Sequence, residues 1–305
     1  MAQIDDMALF VQVVKSDGLA AAGRKLGLSP ASMTARINKL ELRYQTRLLS
    51  RNTRSIALTE EGERFYQGCL RIVEEMAAIE ASLKGTDDQL TGSLRITAAS
   101  DFGRHYVAPA VADFVKLHPD VTPCLYLTDG LVKLVEDRLD LAIRFGNLPD
   151  SNLIAKPLID NYRVLCASPD YLSRCGLPEH PSDLLNHRCL VMERMGQLLN
   201  EWFFHDETDF SLKVQPAMVC SDGEMIRQWA LDGCGIALKS YVDVMRDIKM
   251  GKLIPVLEGK IRDFNPNDID TIGLQIIYPS RKYQPRQVKA FIEYLEDWIK
   301  KALED

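Results

Sequence analysis

Residues 20–43 read AAAGRKLGLSPASMTARINKLELR, and this stretch decides the N-terminal fold. Ala20–Leu26 is rich in helix formers, interrupted only by Gly23, and Gly27 stands where a helix stops, since glycine enters the left-handed C-terminal cap without strain. Ser29 and Pro30 then open a second helix. A serine hydroxyl accepts one of the free N–H groups of a helix start, and proline suits the first helical position, where its missing N–H has no partner anyway. Met33, Ile37 and Leu40 recur at helical spacing and should be core. Two helices joined by a short turn make a helix-turn-helix. Before them, Met7, Leu9, Phe10, Val13 and Val14 follow the same period. After them, LLSRNTRSIAL (48–58) has the pattern of a two-stranded wing with a polar tip.

The chain has 305 residues, more than one hydrophobic core usually supports, so at least two domains are expected. Hydrophobic residues make up 46% and charged residues 26%, which places it among globular proteins rather than disordered ones. No apolar run approaches the ~20 residues of a membrane helix, and the first residues, MAQIDDMALF, carry acids where a signal peptide carries base. A cytoplasmic protein with no membrane partner is expected. Seven cysteines without a CxxC fit neither a disulfide frame nor a zinc knuckle, and they read as reduced, small apolar residues. Neither a metal nor a cofactor is expected.

Net charge is −6, yet the helix-turn-helix and wing are basic. Arg24, Lys25, Arg36, Lys39, Arg43, Arg47, Arg51 and Arg54 face the single acid Glu41. A basic stripe on an acidic protein is the electrostatic footprint of a DNA-binding module, although a solvated helix face would look alike.

Thr59-Glu60-Glu61-Gly62 starts a further helix, and Phe65, Cys69, Ile72, Met76, Ile79 and Leu83 follow at alternating steps of four and three. Such a seam suits either a dimeric coiled coil or the helix's own domain, and its narrowness favours the dimer. The polar segment KGTDDQ (84–89) reads as a linker.

From Leu94 the grammar changes to short apolar strands alternating with helices, including one expected at LVKLVEDR (131–138), which means α/β with a largely parallel sheet. One unit occurs three times: a strand end, a small hydroxyl residue, an aspartate and then a helix, at Ser100-Asp101-Phe102-Gly103, Thr128-Asp129-Gly130 and Ser221-Asp222-Gly223. The carboxyl ends of strands border the ligand crevice of open α/β sheets, and helix N-termini there suit an anion. Plain N-capping by these residues is the alternative.

The chain resembles the LysR-type transcriptional regulators over nearly its whole length. The N-terminal part of the resemblance is carried by Phe10, Ala22, Leu26, Leu28-Ser29-Pro30, Ile37, Leu40-Glu41, Arg47-Leu48, Arg51, Thr53-Arg54, Leu58-Thr59 and Gly62. The later part is carried by Phe102-Gly103, Ala108-Pro109, His118-Pro119, Asp140-Leu141-Ala142-Ile143-Arg144 and Gly233-x-Gly235-Ile236. Departures are Asp17-Gly18-Leu19, Tyr44-Gln45, where the family has Leu-Gly, and Lys133 in place of a common acid.

The resemblance implies a winged helix-turn-helix over 1–58, a linker and dimerisation helix over 59–89, and an effector domain similar to periplasmic binding proteins over 90–305. Its first lobe would span about 90–161 and 266–305 and its second about 162–265, with crossings near Leu158–Val164 and Ile261–Ile272. It also implies a dimer, usually assembled into a tetramer, that binds double-stranded promoter DNA and a small effector between the lobes.

Expected DNA contacts are Ser29, Pro30, Ala31, Ser32, Thr34, Ala35, Arg36 and Lys39 on the second helix, with Arg51, Thr53 and Arg54 on the wing. Arg36 is the candidate for a two-pronged contact with guanine. Expected effector contacts are Ser100, Phe102, Thr128, Arg144, Ser221 and Asp222, with Phe102 covering an apolar part of a ligand that carries a carboxylate or similar anion. The neighbouring aspartates could instead occupy the same N–H groups. An enzyme with a fused regulatory head is a rival reading, but GxGxxG, the Walker loop, GxSxG and HExxH are all missing. A solute-binding protein without its export signal is the other, and the basic helix-turn-helix argues against it.

Overall fold

The computed structural model describes residues 2–16, 18–52, 55–84, 89–145, 153–205, 208–262, 273–280 and 284–304. The chain forms two compact units, Met1–Asp88 and Gln89–Asp305.

In the first unit, α1 (Ala2–Lys15), α2 (Leu19–Leu26) and α3 (Pro30–Tyr44) precede a hairpin of β1 (Leu49–Asn52) and β2 (Ser55–Leu58), and α4 (Glu60–Lys84) follows. The punctuation is as the sequence dictates. Gly27 ends α2 at φ 66°, and the Ser29 hydroxyl accepts the Ser32 N–H at 3.2 Å with Pro30 next in line. Gly18 supplies no side-chain cap to α2. Gln45 ends α3 in the left-handed region, at φ 50°, where glycine would be unstrained. Met33, Ile37 and Leu40 are buried with Phe10, Val13, Ala22 and Leu48. Glu41 is buried among them, and its Oε1 accepts the N–H groups of Leu48 at 2.8 Å and Leu49 at 3.1 Å. Gly62 has no room for a side chain, since a Cβ there would lie 1.9 Å from the Leu48 carbonyl oxygen.

The apolar seam of α4 divides in two. Phe65 meets Phe10 edge-on at 5.4 Å, and Cys69 is 1% exposed within the same core. These two positions therefore serve their own domain rather than a partner. Ile72 and Met76 are 42% and 37% exposed, while the side chains of Ile79 and Leu83 lie outside the described residues.

The second unit holds two sheets. The first has the order β4-β3-β5-β15-β6, from β3 (Gly92–Ala98), β4 (Val121–Leu127), β5 (Leu141–Phe145), β6 (Leu153–Ile159) and β15 (Leu274–Pro279). Here β3 runs parallel to β4 and β5, and β15 runs antiparallel to β5 and β6. A helical stretch crosses this lobe as α5 (Ser100–Phe102), one wide turn (Gly103–Val107) and α6 (Ala108–Leu117). The amphipathic α10 (Arg286–Glu304) buries Val288, Phe291, Leu295 and Ile299 in the same core.

The second sheet has the order β12-β8-β13-β7-β14, from β7 (Arg163–Ala167), β8 (Cys189–Arg194), β12 (Pro216–Cys220), β13 (Ile236–Ser240) and β14 (Ile254–Val256). β9 (Gln197–Leu198) pairs with β8, and the helices are α7 (Pro169–Cys175), α8 (Gly223–Leu231) and α9 (Tyr241–Lys249). A hairpin of β10 (Glu201–His205) and β11 (Asp209–Lys213) buries Trp202 and Phe204 on one face and leaves Phe203 between them only partly buried, the alternation of a strand. Residues 160–162 join the two sheets, while 263–272, at the expected second crossing, lie outside the described residues.

The helix expected over 131–138 does not form. A single turn takes its place, closed by the Asp137 N–H on the Lys133 carbonyl at 2.8 Å and the Leu139 N–H on that of Leu134 at 2.9 Å. Arg138, at φ 58°, reverses the chain before a second turn can add.

Candidate functional site: the outer face of α3 and the junction of the lobes

With Met33, Ile37 and Leu40 committed to the core, the opposite face of α3 presents Ala31, Thr34, Ala35, Asn38, Lys39 and Leu42 to solvent. Ser29 and Pro30 are exposed at its N-terminal end, with Ser32 partly so, and the Thr34 hydroxyl donates to the Pro30 carbonyl at 2.9 Å. Asn38 belongs to this face and was missed in the sequence, although its spacing of four from Thr34 is the signal that finds it. Arg36 departs from expectation. Its Nε and Nη2 both donate to Asp6 Oδ1 of α1, at 3.0 and 2.6 Å, and Arg43 stands 3.9 Å from the same carboxylate. Its planar fork is committed within the domain and is not presented to guanine. Arg51 is placed by its backbone in β1, opposite Ile56, and Thr53 and Arg54 lie outside the described residues.

In the second unit, the three hydroxyl–aspartate segments take different roles. Ser100 is 2% exposed, and its N–H donates to Asp129 Oδ1 at 3.0 Å while its hydroxyl donates to Asp129 Oδ2. From the other lobe, the Gly223 N–H at the start of α8 reaches the same Oδ2 at 2.8 Å, and Ser100 Oγ at 3.2 Å. The Asp129 carboxylate thus occupies the N–H groups that were expected to face a ligand. Asp222 caps α8 by accepting the Glu224 N–H at 2.9 Å, and receives Arg104 across the junction at 3.0 and 3.3 Å. Burial pushes the Asp222 carboxyl up, but the hydrogen bonds and charge of Arg104 and the Glu224 N–H help outweigh it and hold it below the usual carboxylate range.

Three expected effector contacts turn elsewhere. Phe102 is fully buried and stacks on Tyr106 at 4.7 Å, so it is core and covers no ligand. Arg144 is turned inward, donating to the Thr128 carbonyl and, at 2.8 Å, to Thr97 Oγ1, and burial lowers it to about 10. The Thr128 hydroxyl accepts the Gly130 N–H at 3.1 Å within its own turn. Ser221 is exposed one residue before the α8 cap.

The junction is dense with charge, most of it invisible in the sequence. Lys239 Nζ donates to Asp101 Oδ2 at 2.6 Å and to the Gly223 carbonyl at 2.8 Å, with Asp243 at 3.6 Å. Burial alone would lower Lys239, but Asp101 and Asp243 more than reverse it. Arg227 grips Asp247 through Nε at 2.7 Å and Nη2 at 2.6 Å. His105 Nε2 meets Glu224 Oε2 at 2.8 Å and Arg227 Nη1 at 3.1 Å. Six carboxylates, Asp101, Asp129, Asp222, Glu224, Asp243 and Asp247, are gathered with Arg104, Arg163, Arg227 and Lys239.

Comparison with known proteins agrees with both units. Residues 4–63 match the bacterial regulatory helix-turn-helix proteins of the lysR family, and residues 87–300 match the LysR substrate binding domain. The transcriptional regulator DmlR of Escherichia coli K12 is 35% identical over 297 residues, covering 97% of this chain and 94% of its own. CrgA of Neisseria meningitidis is 33% identical over 291 residues, covering 95% of each. The solved CrgA structure superposes with a TM-score of 0.62 over 96% of this chain and 97% of its own, at 32% identity. Full-length AphB, a virulence activator of Vibrio cholerae, gives 0.58 over 95% and 97% at 27% identity. No described helix is long and apolar enough to cross a membrane. A helix-turn-helix with an exposed α3 face and a two-sheet effector-binding unit, matched end to end by these relatives, make the chain a member of the LysR family, a DNA-binding transcription regulator.

Proposed function

We propose that Ala31, Thr34, Ala35, Asn38 and Lys39 read base edges in the major groove of double-stranded promoter DNA, with Ser29, Pro30 and Ser32 beside the phosphates. The observation that carries this is the division of α3 into a buried face and an outward one, since only the outward face can enter a groove. An asparagine amide pairs with adenine, and alanine methyls suit thymine. Arg36 supports this face through Asp6, and Arg51, Thr53 and Arg54 are assigned to the DNA backbone. Binding-site selection followed by mobility shifts tests the assignment. Asn38→Ala should relax preference at one base position, and Lys39→Ala should weaken binding or lower the salt slope. Unchanged selection by both variants removes α3 from base reading.

The regulator acts in the cytoplasm as a dimer that pairs into a tetramer, and its effector is a small carboxylate bound between the lobes. Support comes from Asp129: two backbone N–H groups and a hydroxyl, drawn from both lobes, converge on one carboxylate. An effector carboxylate takes that place by displacing Asp129. Calorimetry on the full chain, with small carboxylic acids and their amides, tests this. An acid should bind at least tenfold more tightly than its amide, and Asp129→Asn should bind it more tightly than wild type. Equal binding of acid and amide would falsify the carboxylate assignment.

A further inference from the structure

Two carboxylates at the junction each have one oxygen committed to a cation and the other turned toward His105. Asp101 gives Oδ2 to Lys239 at 2.6 Å, and Glu224 gives Oε1 to Arg227 at 3.2 Å. Their remaining oxygens, Asp101 Oδ1 and Glu224 Oε2, stand 3.7 and 2.8 Å from His105 Nε2. Asp101 is 3% exposed, and its Oδ1 is buried without a hydrogen-bond partner. A buried acceptor left unmatched is costly, so this oxygen is placed for something that arrives.

The imidazole nitrogen is itself in conflict. Glu224 Oε2 at 2.8 Å needs either a proton on Nε2 or its own proton to donate to the Nε2 lone pair, whereas Arg227 Nη1 at 3.1 Å needs that same lone pair free. One nitrogen meets only one of these demands. A cation bound by the Nε2 lone pair and by both remaining oxygens answers all three groups at once. Arg227 then keeps Glu224 Oε1 and its two bonds to Asp247.

We propose that Asp101 Oδ1, His105 Nε2 and Glu224 Oε2 form a binding site for a divalent transition-metal ion of the zinc type, which clamps the first lobe to the second. The three ligand atoms lie within 4.8 Å of one another. Bonds of about 2.1 Å in a tetrahedron place ligand atoms roughly 3.4 Å apart, so adjustments within the junction suffice. One imidazole with two carboxylates suits Zn²⁺ better than Mg²⁺, which prefers an all-oxygen shell. The fourth position is left for water or a ligand group. Asp101 and His105 are spaced by four on the helical stretch after β3, and Glu224 comes from the first turn of α8, so the ion bridges the lobes.

The test uses the full-length protein, freed of metal by chelation, with Zn²⁺ and Co²⁺ as probes. Titration against a chromophoric chelator should show one tight Zn²⁺ per chain, and Zn²⁺ should raise the melting temperature. His105→Gln and Glu224→Gln, each checked for folding by circular dichroism, should bind at least tenfold more weakly and lose the thermal shift. Bound Co²⁺ should give only weak visible bands, because no thiolate is a ligand. Three outcomes overturn the site: no tight Zn²⁺ in wild type, equal binding by both folded variants, or an intense thiolate-to-Co²⁺ band from the cysteines. The cobalt spectrum is read on wild type, so the proposal stays testable even if a variant unfolds.

Discussion

The Arg36 guanidinium closes on Asp6, thirty residues earlier in the chain, with Nε at 3.0 Å and Nη2 at 2.6 Å from one carboxylate oxygen. The contact pins α3 to α1 on the edge of the face proposed to read DNA. Asp6 is nearly buried, with a side chain 10% exposed, while Arg36 is 33% exposed. Breaking the pair from the arginine side leaves a mostly desolvated carboxylate, with Arg43 a distant substitute at 3.9 Å. Partial exposure discounts the loss to about 1–2 kcal/mol. Arg36→Ala should therefore lower unfolding stability and weaken all DNA sequences alike. A selective loss at one base position in binding-site selection would show instead that Arg36 reads DNA.

A second consequence follows from Glu41. Its carboxylate lies at the end of α3 and holds the N–H groups of Leu48 and Leu49, where the chain turns into the wing hairpin. Arg47 adds a contact at 3.3 Å on the outer oxygen. Glu41→Ala leaves both N–H groups buried without an acceptor, at a cost of about 2–4 kcal/mol. Glu41→Gln keeps one acceptor oxygen and should lose less than half as much. Urea unfolding of both variants ranks them, and equal losses would mean that packing, not hydrogen bonding, is the role of Glu41.

These two contacts show where the sequence was legible. α3 could be read because Ser29-Pro30 and the spacing of Met33, Ile37 and Leu40 are local signals, and the lobe strands because apolar runs bounded by turns are local too. The partners of the site are remote. Asp129 and Gly223 are 94 residues apart, and Lys239 and Asp101 are 138 apart, so no window holds both members of a pair. Asp129 was visible as a competitor for the helix starts, but that it reaches two lobes at once depends on how the sheets pack. Phe102 was misassigned because position alone does not tell a ligand-facing aromatic from one stacked in the core. The helix expected over 131–138 had apolar residues at the right spacing, yet Leu131 and Val135 are 74% and 61% exposed and only Leu134 is buried. With only Leu134 buried and Val132 partly so, tertiary packing does not extend the turn.

The exposed part of the α4 seam supports a third prediction. Phe65 and Cys69 are already used by the domain core, so the dimer contact proposed for α4 falls on Ile72 and the positions after it. Ile72→Glu places a charge in that seam and should shift the chain toward monomer in light scattering, with weaker DNA binding. Cys69→Ser should instead lower stability and leave the oligomer intact. The reverse pattern would move the dimer contact into the buried half of the seam.

Asp243 supports the last prediction, which concerns pH. Its side chain is 7% exposed at the lobe junction, with Lys239 at 3.6 Å and one oxygen lacking a hydrogen-bond partner. Burial pushes its carboxyl up to about 7, helped by Asp101 and Asp129 and opposed by Lys239 and Arg163. In the unfolded chain the same group titrates near an ordinary aspartate value of about 3.9. Between those two values the native state holds a proton that the unfolded state has released. Linkage then requires stability to fall as pH rises through this window, and the full loss stands above the folded value. A shift of this size has a ceiling of about 4 kcal/mol, and its sharing among neighbouring charges makes the measured loss smaller. Asp243→Asn removes the titration while keeping size and polarity. Its stability relative to wild type should therefore rise from pH 5 to pH 8, as measured by urea unfolding of both proteins across that range. Taking the difference between the two proteins cancels every other group that titrates independently of Asp243. A flat difference would overturn the raised value, placing the Asp243 carboxyl at an ordinary value or below it, where Lys239 and Arg163 stabilise the ionised form.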